Sequence, residues 1–90
     1  MDNYLVISAL GPDRPGIIHQ LAGMVAEAGC NILDSRMTVL GGEFAVIQMV
    51  SGRWDALARL ESALNGLGDE LGLTLQWRRT SERDTAGDLL

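Results

Sequence analysis

The segment Gly11–Gly16 constrains this 90-residue chain more than any other, because it contains both of its prolines. Proline is disfavoured inside helices and central strands, so this segment predicts a break between two elements. The preceding residues, Tyr4–Leu10, are nearly all apolar or small and include several β-formers. They predict a strand that is buried on both faces, lies centrally in a sheet and ends at the loop.

An amphipathic helix is expected after the loop, because apolar residues recur at helical spacing from Ile17 to Ala28. Pro15 suits the first turn of that helix, and Asp13 or a neighbour is expected to cap it. Gly29 follows the last apolar position and can adopt the left-handed conformation that commonly ends a helix.

A β-hairpin is predicted around Gly41 and Gly42, a pair that favours a tight primed turn between the strands Ile32–Leu40 and Glu43–Val50. The register of this turn gives the hairpin two faces. The face expected to join the core carries Met37, Val39, Phe44 and Val46. The other face carries Asp34, Arg36, Thr38, Ala45, Ile47 and Met49. A lone monomer would leave the apolar residues of this second face in water, so we expect a partner to cover them.

A second helix is expected to open at Ser51 and Gly52 and to bury an apolar stripe that Glu61 interrupts. Asp55 and Arg59 form an i,i+4 pair on another side of that helix.

The last part of the domain is predicted to hold a loop and an edge strand. Glycines at positions 66, 68 and 72 indicate that Leu67–Leu71 is a loop or a short extra turn, and alternating apolar residues from Leu73 to Trp77 indicate the strand. The order strand, helix, strand, strand, helix, strand favours an α+β, ferredoxin-like βαββαβ fold. In that fold a four-stranded antiparallel sheet carries two helices on one face. We expect residues 1–80 to form one domain and residues 81–90 a polar tail or linker.

Composition excludes several classes of protein. The net charge of −5 disfavours direct nucleic-acid binding, and no apolar run approaches the length of a membrane span. The single cysteine, Cys30, rules out an intramolecular disulfide and a cysteine-rich zinc site, and it fits a reducing cytoplasm. We therefore expect a soluble, cytoplasmic protein.

The loop is also the first candidate site, because it leads into a helix N-terminus whose free N–H groups attract a carboxylate or phosphate. A purely structural role is the more common one for such a loop. Asn31 could bind a zwitterion through its amide, or could simply tolerate a turn after Gly29. The topology puts Asn31 and the loop at opposite ends of the sheet, so a site that uses both must be shared between subunits or domains.

Other reactive or aromatic residues are assigned structural roles. His19 lies on the outer side of the first helix and is expected to be a solvated surface residue, and Cys30 is expected to be a small, partly buried hydrophobe. Trp54 and Trp77 are interpreted as core anchors, because both fall on apolar faces. No set of residues with the spacing of a metal site or an acyl-transfer triad is present in the sequence.

The sequence resembles an ACT domain, the small-molecule sensing module of amino-acid metabolism. The resemblance rests on Leu10–Ile18, Gly29–Ile32 and the glycine hairpin, and it extends over residues 4–80. It implies a non-catalytic regulatory module with a ferredoxin-like fold that works as a dimer or as paired domains. The longer runs Cys30–Arg36 and Ser51–Trp54 are similar to the repressor-like branch, which carries two ACT domains in tandem and implies transcriptional regulation of glycine cleavage through a protein partner.

The resemblance also implies a site. In ACT domains a free amino acid typically binds at an interface, between the turn before the first helix and the start of the neighbour's second strand. The matching positions here are Gly11, Asp13, Arg14, Pro15 and Gly16, with Asn31 across the interface. The implied partners are an amino acid such as glycine, further copies of the chain as a homodimer or higher oligomer, and a protein. No cofactor or metal is implied.

Two alternatives remain open at this point. One is a purely structural dimerisation module with a vacant site. The other is a small acylphosphatase-like hydrolase, with Arg14 in an anion loop and Asn31 positioning water. Two prolines weaken the second alternative, because they lack the N–H groups that such an anion loop requires.

Overall fold

The computed structural model describes residues 3–80, which form six elements around one sheet. These elements are β1 (Asn3–Pro12), α1 (Ile17–Glu27), β2 (Asn31–Leu40), β3 (Glu43–Gly52), α2 (Trp54–Leu71) and β4 (Thr74–Thr80). All strand pairs are antiparallel, and the strand order is β2-β3-β1-β4. The ferredoxin-like prediction is confirmed. The predicted tail at 81–90 lies outside the described residues.

Strand β1 is central, as predicted, but it is not buried on both faces. Leu5, Ile7 and Ala9 are buried in the core beneath the helices, whereas Val6 and Ser8 on the opposite face are partly exposed. The prediction is wrong because both helices pack on the same face and no second layer formed by residues 3–80 covers the other. We call the uncovered side of the sheet the open face.

The connection between β1 and α1 differs from the prediction in two details. The strand continues to Pro12, which pairs with Glu43, because a proline is tolerated at the end of a strand. Within residues 3–80, no side chain caps α1. Its N-cap is Gly16, in a left-handed conformation with φ of 86°, so the expectation that the side chain of Asp13 or a neighbour caps the helix is wrong.

The predicted hairpin is confirmed. Gly41 and Gly42 have φ values of 58° and 91°, the positive values that a primed turn requires. Phe44 and Val46 join the core, but their cross-strand neighbours Val39 and Met37 are 48% and 59% exposed. The expectation that these two complete the core is wrong, because β2 is an edge strand with all ten residues exposed.

Helix α2 is longer and begins later than predicted. Ser51 and Gly52 end β3, and the helix starts at Trp54. Leu67 and Leu71 are buried on the continuing helix, so the predicted loop is wrong: tertiary burial outweighs the weak helix propensity of the intervening glycines. Gly72, with φ of 69°, provides the left-handed end.

An ion pair between Glu61 of α2 and Arg79 of β4 explains why a charged residue interrupts the apolar stripe of α2. Glu61 accepts two hydrogen bonds from Arg79, at 3.2 Å and 3.0 Å, so its carboxylate is neutralised at the margin of the core. The Arg79 guanidinium also lies 5.4 Å from the ring centre of Trp54. Trp54 is 65% exposed and is not a core anchor, whereas Trp77 packs against the core as predicted.

Candidate functional site: a divided ligand site and two uncovered surfaces

The loop between β1 and α1 lies at one end of the sheet, beside the hairpin turn. The Asp13 backbone N–H donates to the Gly42 carbonyl oxygen over 3.0 Å, which ties the loop to the turn. Asp13, Arg14 and Pro15 are exposed. The structure therefore brings four of the predicted site residues, 13 to 16, together at an accessible end of the molecule.

The first turn of α1 gives this loop its electrostatic character. The Gly16 carbonyl accepts the Gln20 N–H over 2.9 Å, which closes the first helical turn. The N–H groups before Gln20 have no acceptor four residues back within the helix, and the helix dipole adds partial positive charge at this end. Together with the exposed Arg14 guanidinium, these groups form a surface suited to a carboxylate.

Gly11, another predicted site residue, has a different position. It is buried at the end of β1, and a side-chain carbon there would lie 2.6 Å from Leu73 Cδ2 and 3.0 Å from the Gly72 carbonyl oxygen. A side chain here would force Leu73 to shift and would crowd the Gly72 carbonyl, so glycine lets the strand pass this close to the start of β4. Its backbone position thus shapes the end of the sheet that supports the loop.

Asn31 lies at the opposite end of the same sheet. It pairs with Ser51, which pairs with Tyr4, whereas the loop follows Pro12. The eight residue steps from Tyr4 to Pro12 correspond to about 26 Å at roughly 3.3 Å per residue. One copy of the chain cannot close a site with both groups. The separation of Asn31 from Arg14 also removes the geometric basis of the hydrolase alternative.

The other titratable groups of the described part of the chain, residues 3–80, form no catalytic constellation. His19 is exposed and Cys30 is buried, as predicted. Burial raises the pKa of the Cys30 thiol, against the opposing effect of the Arg59 and Arg79 charges, so the thiol is protonated at neutral pH and poorly nucleophilic. Residues 3–80 contain no cluster of three or more potential metal ligands.

Asp34 and Arg36 on β2 form an exposed ion pair of 3.2 Å. The hydrogen bond from Arg36 is the main cause that lowers the pKa of Asp34, and the Ser35 backbone N–H adds to it at 2.8 Å. Both charges border the open face.

A groove of about 550 Å³ lies on the open face, and none of the loop residues 13–16 lines it. Its lining combines the hairpin with residues of β1 and β4. The lining residues whose side chains share this face are Ser8, Leu10, Arg36, Thr38, Ala45, Ile47, Thr74 and Gln76. The hairpin half is the face that the sequence predicts to need a cover. The alternation of β4 is visible in the sequence, but only the strand order shows that its polar residues border the same surface.

A family model for the ACT domain matches residues 3–78. This chain belongs to the ACT domain family. The glycine cleavage system transcriptional repressor of Escherichia coli (strain K12) is 48% identical over 81 residues, which make up 90% of this chain and 43% of the repressor. The chain therefore spans less than half the length of this relative.

Solved structures agree with that assignment. A crystal structure provisionally assigned to a glycine cleavage system transcriptional repressor superposes with a TM-score of 0.89 and 40% identity, over 93% of this chain and 49% of that one. An ACT domain protein from Streptococcus pneumoniae has a TM-score of 0.75 and 27% identity, over 86% of this chain and 89% of that one. The family thus includes chains with about one such unit as well as longer ones.

The chain is accordingly a regulatory ACT domain related to glycine cleavage repressors. Within residues 3–80, neither helix combines the length and the apolar character needed to cross a membrane.

Proposed function

We propose that this ACT domain binds a free amino acid, such as glycine, at an interface between two ACT units and passes the resulting change to a protein partner in the cytoplasm. The observation that carries the proposal is the division of the site. The loop at 13–16 and Asn31 lie at opposite ends of one sheet, so the site requires a second copy or a second domain.

The exposed edge of β2 offers a way to bring the two halves together. This ten-residue strand is exposed along its whole length, and no other strand of residues 3–80 pairs with its outer edge. Ile32 and Leu33 add apolar side chains at this edge. Such an edge readily pairs with another chain. If two copies join antiparallel through β2, the start of one β2 lies beside the end of the other.

This pairing supports the shared site directly. The end of β2 leads into the hairpin turn, and Gly42 of that turn accepts the Asp13 N–H. Asn31 of the second copy would thus approach the loop of the first. A two-fold axis would create two equivalent sites, one at each end of the paired strands.

The groups at each site match a zwitterionic amino acid. The helix N-terminus and Arg14 suit the carboxylate, and the Asp13 carboxylate together with the amide oxygen of Asn31 suits the ammonium group. Glycine is proposed first because relatives of this chain are glycine cleavage repressors. A role in transcriptional control of glycine cleavage would act through a protein partner, since a net charge of −5 disfavours direct DNA contact.

A structural dimerisation module is the second candidate, and the exposed β2 edge favours it equally. Calorimetric titration of the chain with glycine, serine, alanine and larger amino acids distinguishes the two. A sensor gives saturable heat with at least one of them, and Asn31→Ala abolishes that heat while the dimer persists. Asn65→Ala, an exposed position on α2, is the matched control. If the chain dimerises but no amino acid gives heat, the sensor is rejected and the structural dimerisation module is supported.

A further inference from the structure

We propose that the open face of the sheet is a second self-association surface, which docks on the open face of another copy of this chain. The pattern of side chains across the four strands indicates that the partner on this face is a second copy of the chain. This surface is separate from the β2 edge, so the inference extends beyond the proposed ligand site and does not depend on it.

Cross-strand pairing arranges the open face in transverse rows that run from β2 through β3 and β1 to β4. The first row is Asp34, Met49, Val6 and Arg78. The second row is Arg36, Ile47, Ser8 and Gln76. The third row is Thr38, Ala45, Leu10 and Thr74. Each row thus has polar or charged ends and a middle pair that is apolar or small.

The first row is complementary in charge to its own reversed copy. A two-fold axis parallel to the strands, between β3 and β1, lays each row over the same row of the second copy in reverse order. Asp34 then faces Arg78 of the second copy, and Arg78 faces its Asp34, while Met49 meets Val6 between them. Two opposite-charge pairs would enclose an apolar centre, as expected of an interface with a polar rim.

The other two rows are complementary in size. In the second row, Ile47, which is 49% exposed, would face the small Ser8, and in the third row Leu10, which is 52% exposed, would face the small Ala45. Large side chains opposite small ones allow two sheets to interdigitate at the usual spacing of about 10 Å. The same side chains border the groove of about 550 Å³, which the large residues of the second copy would fill.

The charges of the rows also bear on the choice of symmetry axis. An axis perpendicular to the strands and centred on the second row would place Arg36 opposite Arg36 of the second copy. Like charges in direct opposition are destabilising, so that placement is disfavoured, whereas the same axis centred between the first two rows would place Asp34 opposite Arg36 of the second copy. We propose the axis parallel to the strands, and the charge exchange described below distinguishes it from the perpendicular one. This axis puts the two β2 edges of a face-to-face pair on opposite sides, so pairing through β2 as well would extend the assembly into an open ribbon.

The mass of the purified 90-residue chain in solution tests the surface directly. Leu10→Glu places a carboxylate at the apolar centre, and we expect it to lower the mass of the assembly to half or less while circular dichroism shows the same fold. Ala26→Glu, at an exposed position on α1, should leave the mass unchanged. An unchanged mass for Leu10→Glu across a hundredfold dilution series of about 1 to 100 µM would overturn the proposal, because burying an unpaired carboxylate should abolish such an interface.

Charge exchange tests the predicted axis. Asp34→Arg and Arg78→Asp each put like charges opposite one another in both pairs, so each variant alone should associate through this face roughly tenfold more weakly. An equimolar mixture of the two restores opposite charges in both pairs and should recover the wild-type mass. Asp69→Arg and Arg53→Asp, at exposed positions of α2 and its N-cap, serve as controls.

The outcomes separate this inference from the proposed ligand site. Failure of the mixture to recover the mass would overturn face-to-face docking, whatever the titration with amino acids shows. Conversely, a recovered mass with no heat from any amino acid would support the docking surface and count against the sensor.

Discussion

The two faces of the sheet are made from alternate residues of the same strands, yet their environments are opposite. On β1, Leu5 and Ile7 are fully buried beneath the helices, whereas Leu10 projects into solvent from the other side. On β3, Val50 is fully buried and Ile47 is half-exposed. Alternation alone defines two apolar surfaces, and the helix layer decides which of them becomes the core. The same difference predicts which substitutions unfold the chain and which change only its association.

The largest effect is expected from truncation on the covered face. Leu57 is fully buried between α2 and the sheet, and Leu57→Ala should lower the free energy of unfolding by about 2–5 kcal/mol, through lost burial and the cavity left behind. Leu40→Ala removes the same atoms from an exposed position and should change the free energy of unfolding by less than about 0.5 kcal/mol. Urea denaturation measures both, and equal losses would contradict the contrast between the faces.

A smaller loss of unfolding free energy is expected at Gly52, a tightly packed point of the covered face. At Gly52, an added side-chain carbon would lie 2.9 Å from Cys30 Sγ, so Gly52→Ala should destabilise by about 1–3 kcal/mol through overpacking. Adding Cys30→Ala removes the sulfur and should restore part of that loss. A double variant whose loss is the sum of the two single losses would show that the sulfur is not the obstacle.

Removing a polar group from the core should raise the free energy of unfolding, whereas the two substitutions above lower it. Gln48 is 2% exposed; its Nε2 lies 3.3 Å from Ser35 Oγ, and its Oε1 has no hydrogen-bond partner within residues 3–80. Gln48→Met keeps the shape and removes the unsatisfied oxygen, so we expect a gain of about 1 kcal/mol in unfolding free energy. Gln20→Met, at an exposed position on α1, is the control. A clear loss of unfolding free energy in Gln48→Met would contradict this expectation and would indicate that Oε1 has a hydrogen-bond partner.

The smallest expected effect is on the pH dependence of the unfolding free energy, through Cys30 on the covered face. Burial raises the pKa of the Cys30 thiol above 9.0, so the folded chain holds this proton more tightly than the unfolded chain. The resulting stability is complete below pH 9.0 and is lost as the pH rises through the folded pKa. Unfolding free energies from about pH 7.5 to about pH 10 should therefore fall more steeply for the wild type than for Cys30→Ala. Identical slopes would contradict a buried thiol.

The sequence predicts most of the fold because its strongest signals are local. The proline-rich loop, the glycine turn and the apolar periodicities place all six elements in the correct order. The errors at Leu67 and Trp54 have one cause: propensity and face assignment were judged without knowing what would pack against them. Burial of Leu67 keeps α2 helical through two glycines, and Trp54 lies at the start of α2, where Arg79 approaches its exposed ring.

The candidate site likewise combines one feature that the sequence predicts with others that only the tertiary structure shows. Topology alone is enough to predict that Asn31 and the loop lie at opposite ends of the sheet, and the pairing of Asn31 with Ser51 confirms it. The tie between Asp13 and Gly42, and the proximity of the loop to the end of β2, come from the tertiary structure. These contacts connect residues far apart in the chain, which local patterns do not encode.

The sequence by itself determined the order of the elements, the two-sided character of the hairpin strands and of β4, and the residues that mark an ACT domain, because turn chemistry and side-chain periodicity are properties of neighbouring residues. Only the tertiary structure decided that both helices cover one face, that β2 forms an exposed edge, and that Asp34 and Arg78 end the same row across the open face. Those features depend on which strands become neighbours, and that choice is made when the whole chain packs its core.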